Sequence, residues 1–299
     1  MSDLRRPFRA MLYVPANVPR FVAKSATAGA DAVVLDLEDS VPLAEKAAAR
    51  EGLGQAIATA GAGGAAVLVR VNRPLDLAVA DVLAAAGGGA AGILLSKTLG
   101  PEHVQLMAEL LARAEQRPMA ILPLIETAAA LQKVEAIAAA HPRVQGLLIG
   151  TEDLATDLGA APEDEILAFA KRRMALAAAA AGVFAYGTLG TVADYRDAEQ
   201  VRRMAEAARR AGFAGATCVH PSLVPVLRAA FSPPAEEVAW AQRVLAAAAA
   251  AAAEGRGSFL VDGRMADEPI IARARRVLAA AGVVIKPSSE CNHPAPSTG

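Results

Sequence analysis

Cysteine is scarce in this chain, with two in 299 residues, Cys218 and Cys291. Two thiols cannot build a disulfide framework, so nothing in the sequence points to an oxidising compartment. Net charge is lacking as well. The 30 basic and 31 acidic side chains leave a formal −1, without the basic field that nucleic acid or an anionic membrane surface requires. No uncharged apolar run reaches membrane-spanning length, and the longest, Leu245 to Ala253, is nearly all alanine. The opening MSDLRRPFRA lacks the apolar core of a signal peptide. At 54% hydrophobic residues the chain is too apolar to remain disordered. These absences predict a soluble, cytoplasmic, globular protein with no nucleic-acid or membrane partner.

Alanine inflates that hydrophobic fraction, and alanine is a helix former with a small side chain. Strands are therefore sought in Val, Ile, Leu and Phe. Eight such runs stand between Ala-rich stretches: Met11–Val14, Ala32–Leu35, Ala66–Val71, Gly92–Leu95, Met119–Ile125, Gln145–Ile149, Val183–Leu189 and Ala214–Val219. The intervening stretches, such as Leu43–Thr59, Glu102–Gln116, Ala128–Ala139 and Asp197–Ala211, read as helices. Thr127, Thr151 and Asp197 stand as caps, and Gly29 and Gly212 as stops. Apolar strands alternating with helices predict an α/β protein with a parallel sheet. Eight units in about 220 residues match a closed (β/α)8 TIM barrel, which commonly takes ~250. A doubly wound sheet would carry a Gly-rich turn after the first strand, and VPANVPR has no GxGxxG. The barrel is assigned to residues 1–232. Residues 233–299 form a C-terminal helical extension and lid segment, with helices over about Ala235–Ala253 and Pro269–Ala281 and a frayed tail from Pro287.

Charge is sorted along these strands. Asp36, Glu38 and Asp39 follow the second, Arg70 and Asn72 end the third, and Lys97 follows the fourth. Glu126 ends the fifth, and Glu152 and Asp153 follow the sixth. The N-terminal ends carry Gly64, Ala65, Ala90, Pro118 and Ala214 instead. In a parallel barrel all C-terminal ends open on one face, the face where barrel enzymes place their chemistry. Asp39, Glu152 and Lys97 each have a plain alternative as helix-start or solvated charges. Arg70, Glu126 and Asp153 together are harder to explain that way, because burying them costs several kcal/mol unless they are paired or metal-bound. Two carboxylates with no histidine beside them suit a hard cation taking oxygen ligands, such as Mg²⁺. Zinc is poorly served by four scattered histidines and unpaired cysteines. His220, in CVHPS, reads as a hydrogen-bonded histidine near the mouth.

These residues lie in RAMLYVPANVPRFVAKSATAGADAVVLDLEDSVPLAEKAAAR, LVRVN, LPLIET, LIGTEDLATDLG, GFAGATCVHPSLVPV and VDGRMADEPIIARA. In that order, over about residues 9–281, the motifs resemble the citrate lyase β-subunit-like proteins of the HpcH/HpaI aldolase superfamily. The resemblance implies Mg²⁺ held by Glu126 and Asp153, substrate contact by Arg70, and Asp267 as an acid/base delivered from a neighbouring subunit. It also implies a homotrimer or hexamer whose C-terminal segment caps the next protomer. The activity implied is carbon–carbon lysis or condensation of a β-hydroxyacyl-CoA such as malyl-CoA or citramalyl-CoA. Asp36 and Glu38 are assigned to substrate binding with Arg70, and Arg9, Arg20 or Lys24 to the CoA phosphates. The sequence departs from the family at Ser96, before Lys97, and in GVFAYGTLGTVADYRD, where Tyr186, Thr188 and Thr191 replace an aspartate-bearing pattern. Asp39, where aldolases of free acids have histidine, favours the lyase branch. Two alternatives remain at this point: a citrate lyase β subunit acting on an acyl-carrier-protein thioester within a complex, and a catalytically silent binding barrel.

Overall fold

Short runs that are apolar on both faces have to lie between two packed layers, and that requirement sets the architecture. The computed structural model describes residues 6–190 and 196–283. Eight parallel strands form its centre: β1 (Ala10–Pro15), β2 (Ala32–Asp36), β3 (Ala66–Val71), β4 (Gly92–Leu95), β5 (Ala120–Ile125), β6 (Gly146–Ile149), β7 (Phe184–Tyr186) and β8 (Ala216–Cys218). They pair in the order β7-β6-β5-β4-β3-β2-β1-β8. The ring closes through a bridge between Tyr186 and Gly215, where the Ala214 amide donates to the Ala185 carbonyl at 2.9 Å. This is the TIM barrel that the alternation predicts.

Outside the first half lie α1 (Pro19–Ser25), α2 (Lys46–Glu51), α3 (Leu53–Gly61), α4 (Leu75–Gly87), α5 (Pro101–Ala114), α6 (Ala128–Leu131) and α7 (Val134–Ala138). The second half carries α8 (Thr151–Leu158), α9 (Glu165–Ala181), α10 (Ala198–Arg210) and α11 (Val224–Ala230). The stretch read as one helix over Leu43–Thr59 is a 3-10 turn and two helices interrupted at Gly52, where neither helix has a side-chain cap. Ala128–Ala139 likewise divides into two single-turn helices. Thr127 and Asp197 cap their helices through side-chain oxygens, whereas Thr151 is already helical and Gly150 takes the cap position. Strands β7 and β8 are shorter than their apolar runs, and Gly187, at φ 149°, turns the chain out of β7.

Two apolar layers result. Val33, Leu35, Val69, Ile93, Leu95 and Ile121 pack outward against Leu53, Ile57, Val82 and Leu111 of the helices. Met11, Val34, Leu68, Leu94, Leu122 and Leu148 fill the barrel interior. Truncating a fully buried leucine such as Leu94 or Leu122 to alanine removes transfer energy and leaves a cavity, together about 2–5 kcal/mol.

The chain divides into two compact units, Met1–Phe231 and Ser232–Gly299. In the second, α12 (Ala235–Ala253) and α13 (Glu268–Ala280) pack around Ala241, Val244, Phe259 and Leu278. Between them β9 (Phe259–Val261) and β10 (Arg264–Ala266) form an antiparallel hairpin in the segment read from sequence as a lid. Its two turn residues, Asp262 (φ 52°) and Gly263 (φ 76°), both have positive φ, as a two-residue I′ turn demands. Thr191 and the tail from Pro287 lie outside the described residues.

Candidate active site

Side chains alternate across a strand with period two, and that alternation builds the site. The phase that sends Met11, Val34, Leu68 and Leu124 into the barrel also sends Tyr13, Asp36, Arg70 and Glu126 to its inner face at the C-terminal ends. Gly150 and Asp153, after β6, and Thr188, after β7, complete the wall. The cavity so formed has a volume of about 790 Å³ and opens at the end where the sorted charges predict a site. Its wall includes apolar Leu12, Leu124 and Leu148 as well as Lys24 and His220.

Arg70 is the hub. Its Nε and Nη2 each donate to one oxygen of Asp36 at 2.7 Å, a two-pronged pair between register partners on β3 and β2. Its Nη1 lies 2.9 Å from Glu38 Oε2 and donates to Asp39 Oδ2 at 3.3 Å. All three guanidinium nitrogens are therefore engaged by carboxylates, and the group lies 5.1 Å from the centre of the Tyr13 ring. Burial alone would push the Asp36 carboxyl up. The Arg70 hydrogen bonds and charge outweigh burial and, with Ser40 and the Glu38 amide, hold it below the usual range. Glu38 comes out the other way: burial pushes it up further than Arg70 and Lys97 pull it down.

Lys97 bridges the two halves of the site. Its Nζ is 2.5 Å from Glu38 Oε1, and its backbone amide donates to Glu126 Oε2. It does this at φ 44°, a left-handed conformation that costs a non-glycine residue energy. The Glu126 carboxyl is buried, and burial with the nearby charges of Glu38 and Asp153 pushes it up to about 7, against the pull of the Lys97 amide. Gly150 makes room for it: a Cβ there would stand 2.5 Å from Glu126 Cγ and 2.8 Å from Oε1.

The donor set fits Mg²⁺. Arg70 and Lys97 stand among the carboxylates of Asp36, Glu38, Asp39, Glu126 and Asp153, and all of these but Lys97 and Glu38 line the cavity, together with Lys24 and Glu152. The Glu126 carboxyl, pushed up by burial and by the charges of Glu38 and Asp153, is a group that a bound cation would favour. Among the described residues no cluster of three His, Cys, Asp or Glu ligands exists. Mg²⁺ takes one or two carboxylates and fills its shell with water and substrate, and Glu126 and Asp153 both line the cavity.

The structure brings Arg70, Asp36, Glu38, Glu126 and Asp153 together at the barrel mouth. It does not bring Arg9 there. Arg9 precedes β1, at the opposite end of the barrel, and its Nη2 pairs with Asp31 at 3.1 Å. Of the other two cations considered for CoA phosphates, Lys24 lines the cavity while Arg20 packs over the Phe21 ring. His220 lines the cavity with Nδ1 2.7 Å from Ser222 Oγ, capping the turn at Pro221. Asp267 belongs to the second unit, where it precedes α13 and its side chain caps nothing. Tyr13 and Gly150 escaped the sequence reading. The signal for Tyr13 was its phase, as the one polar residue at an inward position of MLYV.

The sequence model of the HpcH/HpaI aldolase/citrate lyase family matches residues 9–221. A (3S)-malyl-CoA thioesterase of Cereibacter sphaeroides is 34% identical over 287 residues, 95% of this chain and 98% of that protein. A citrate lyase subunit beta-like protein of Deinococcus radiodurans is 37% identical over 277 residues, 90% of this chain and 96% of its own. Among solved structures, CitE of Mycobacterium tuberculosis in complex with magnesium, acetoacetate and coenzyme A is 32% identical with a TM-score of 0.74. That match covers 93% of this chain and 99% of the other.

Proposed function

The chain belongs to the HpcH/HpaI aldolase/citrate lyase family, and from that premise we propose that it is a Mg²⁺-dependent carbon–carbon lyase of a β-hydroxyacyl-CoA such as citramalyl-CoA or malyl-CoA. The observation that carries the reading is Glu126: a carboxylate buried beside Asp153 and Glu38, cradled against Gly150, in the same cavity as Arg70. Glu126 and Asp153 hold the metal. Mg²⁺ bound there supplies Lewis-acid stabilisation for negative charge on the carboxylate and hydroxyl or keto oxygens of the substrate.

Cleavage breaks the bond between the hydroxyl-bearing carbon and the methylene next to the thioester. The hydroxyl passes its proton to the Asp267 carboxylate of a neighbouring subunit and becomes the keto group of a 2-oxo acid. The electron pair passes into the thioester, whose oxygen takes the charge of an enolate. Arg70, locked by Asp36, Glu38 and Asp39, offers that oxygen a fixed positive centre that needs no reorganisation. Asp267 of a neighbouring subunit protonates the methylene carbon, giving acetyl-CoA, or propionyl-CoA from a methyl-branched substrate. Its exposed carboxylate, free of any capping bond, supports that role, and the C-terminal units cap adjacent protomers in a trimer or hexamer.

A second reading is hydrolysis of the thioester, favoured by the thioesterase named among the relatives. Purified protein with Mg²⁺ is incubated with malyl-CoA, citramalyl-CoA and β-methylmalyl-CoA, and 2-oxo acid and free thiol are assayed together. The lyase yields glyoxylate or pyruvate with no thiol, whereas hydrolysis yields thiol with no oxo acid. Neither product from any of the three would overturn the assignment to acyl-CoA chemistry. A citrate lyase β subunit would act only on a carrier-protein thioester with its companion subunits present.

A further inference from the structure

Among the described residues Tyr13 is the one aromatic hydroxyl in the cavity wall, and neither the lyase chemistry above nor the metal pair uses it. Its ring lies beneath Arg70, and its hydroxyl sits within the electrostatic reach of Arg70, Asp36, Glu126 and Glu38, the groups that meet at the barrel mouth. Among the described residues that hydroxyl takes part in no hydrogen bond. The phenol thus stands in the cavity wall as a donor beside Arg70. Arg70 explains why a second donor is needed. With every guanidinium nitrogen engaged by Asp36, Glu38 or Asp39, Arg70 brings charge to a substrate oxygen but few free N–H groups.

We infer that Tyr13 is a substrate-contacting residue whose O–H donates a hydrogen bond to the thioester carbonyl oxygen of an acyl-CoA, beside Arg70. The inference rests on the acyl-CoA reading of the site. Burial pushes the phenol far above its ordinary value, so the proton stays on Tyr13 and the group acts as a neutral donor throughout. As negative charge builds on that oxygen, the hydrogen bond strengthens, so Tyr13 favours the enolate over the ketonic thioester. No proton is transferred by Tyr13 in either direction.

Tyr13→Phe tests this, because it removes the hydroxyl and keeps the ring on which Arg70 rests. Affinities for acetyl-CoA and for CoA are measured by calorimetry on the full chain, and the carbonyl resonance of [1-13C]acetyl-CoA is recorded on binding. Wild-type protein should bind acetyl-CoA more tightly than CoA and shift the carbonyl resonance downfield. Tyr13→Phe should lose about tenfold in acetyl-CoA affinity, lose most of the downfield shift and bind CoA unchanged, with the same melting temperature. If Tyr13→Phe gives the wild-type affinity difference and carbonyl shift, the inference is wrong while the acyl-CoA reading stands. If wild-type protein binds neither acetyl-CoA nor CoA at millimolar concentration, the acyl-CoA reading falls, and the role of Tyr13 with it.

Discussion

Arg70 and Asp36 face each other as register partners on β3 and β2, joined by two hydrogen bonds of 2.7 Å. Each makes the other's burial tolerable: the guanidinium fork donates to both carboxylate oxygens, and the carboxylate fixes the plane of the guanidinium. A point charge on a flexible stem cannot do this. Arg70→Lys should lower kcat/KM by about 100-fold or more. It should also destabilise the fold by about 1–3 kcal/mol, because a buried carboxylate loses a charged hydrogen bond and keeps only the Glu38 and Ser40 amides on its two oxygens. Steady-state kinetics and urea denaturation read the two effects separately. Wild-type rates in the lysine variant would refute the assigned role of Arg70.

Gly150 is small because Glu126 occupies the space a side chain would fill. Gly150→Ala has no backbone conflict, since Gly150 sits at φ −82°, so its effect should fall on the carboxylate. We expect a rise of about tenfold or more in the Mg²⁺ concentration needed for half-maximal activity, from displacement of one ligand oxygen by an ångström or so. Circular dichroism should be unchanged. An unaltered Mg²⁺ requirement would show that Glu126 does not hold the metal in the orientation seen.

The burial of Glu126 makes a pH signature. Its carboxyl is raised from 4.5 to about 7, so between those values the folded state holds a proton that the unfolded chain has released. Stability from this group is therefore fully present below pH 4.5 and is lost as pH rises through 7, by on the order of 3 kcal/mol in metal-free protein. Glu126→Gln removes that loss. At pH 8 in EDTA the glutamine variant should unfold at higher denaturant than wild type, and Mg²⁺ should stabilise wild type alone. The test is urea midpoints at pH 5 and pH 8, with and without Mg²⁺. A pH-independent difference between the two proteins would contradict it.

How much of this could be read from sequence depended on which layer carried the signal. The eight strands were legible because their apolar runs are continuous, and Arg70, Glu126 and Asp153 because charges stand at strand ends. The inner-face phase that selects Tyr13 was equally written in MLYV, but alternation is blurred where both faces of a strand are buried. Gly150 could not be read at all: a glycine after LLI is ordinary until Glu126 is seen lying across it. Arg9 misled because its charge is near β1 in sequence but at the wrong end of it, where Asp31 satisfies it. The helix over Leu43–Thr59 broke because alanine-rich periodicity does not register the turn at Gly52.

Asp267 makes the active site a shared one if it acts on a neighbouring barrel. Asp267→Ala and Glu126→Gln should each be inactive alone. Unfolded together and reassembled, they should regain activity, with roughly a quarter of sites drawing an intact metal pair from one chain and an intact aspartate from another. Mixed oligomers as inactive as either parent, or an active monomer, would remove the shared site.

The central claim is that Glu126 and Asp153 hold the Mg²⁺ on which carbon–carbon cleavage depends. The most direct measurement is the rate of 2-oxo acid release from citramalyl-CoA or malyl-CoA by wild type, Glu126→Gln and Asp153→Asn, across a Mg²⁺ titration with an EDTA arm. The account predicts that wild-type release stops in EDTA and returns with Mg²⁺. In both variants it should stay at least about 1,000-fold lower at every Mg²⁺ concentration, in protein that remains folded. Undiminished release in EDTA, or by either variant, would contradict it.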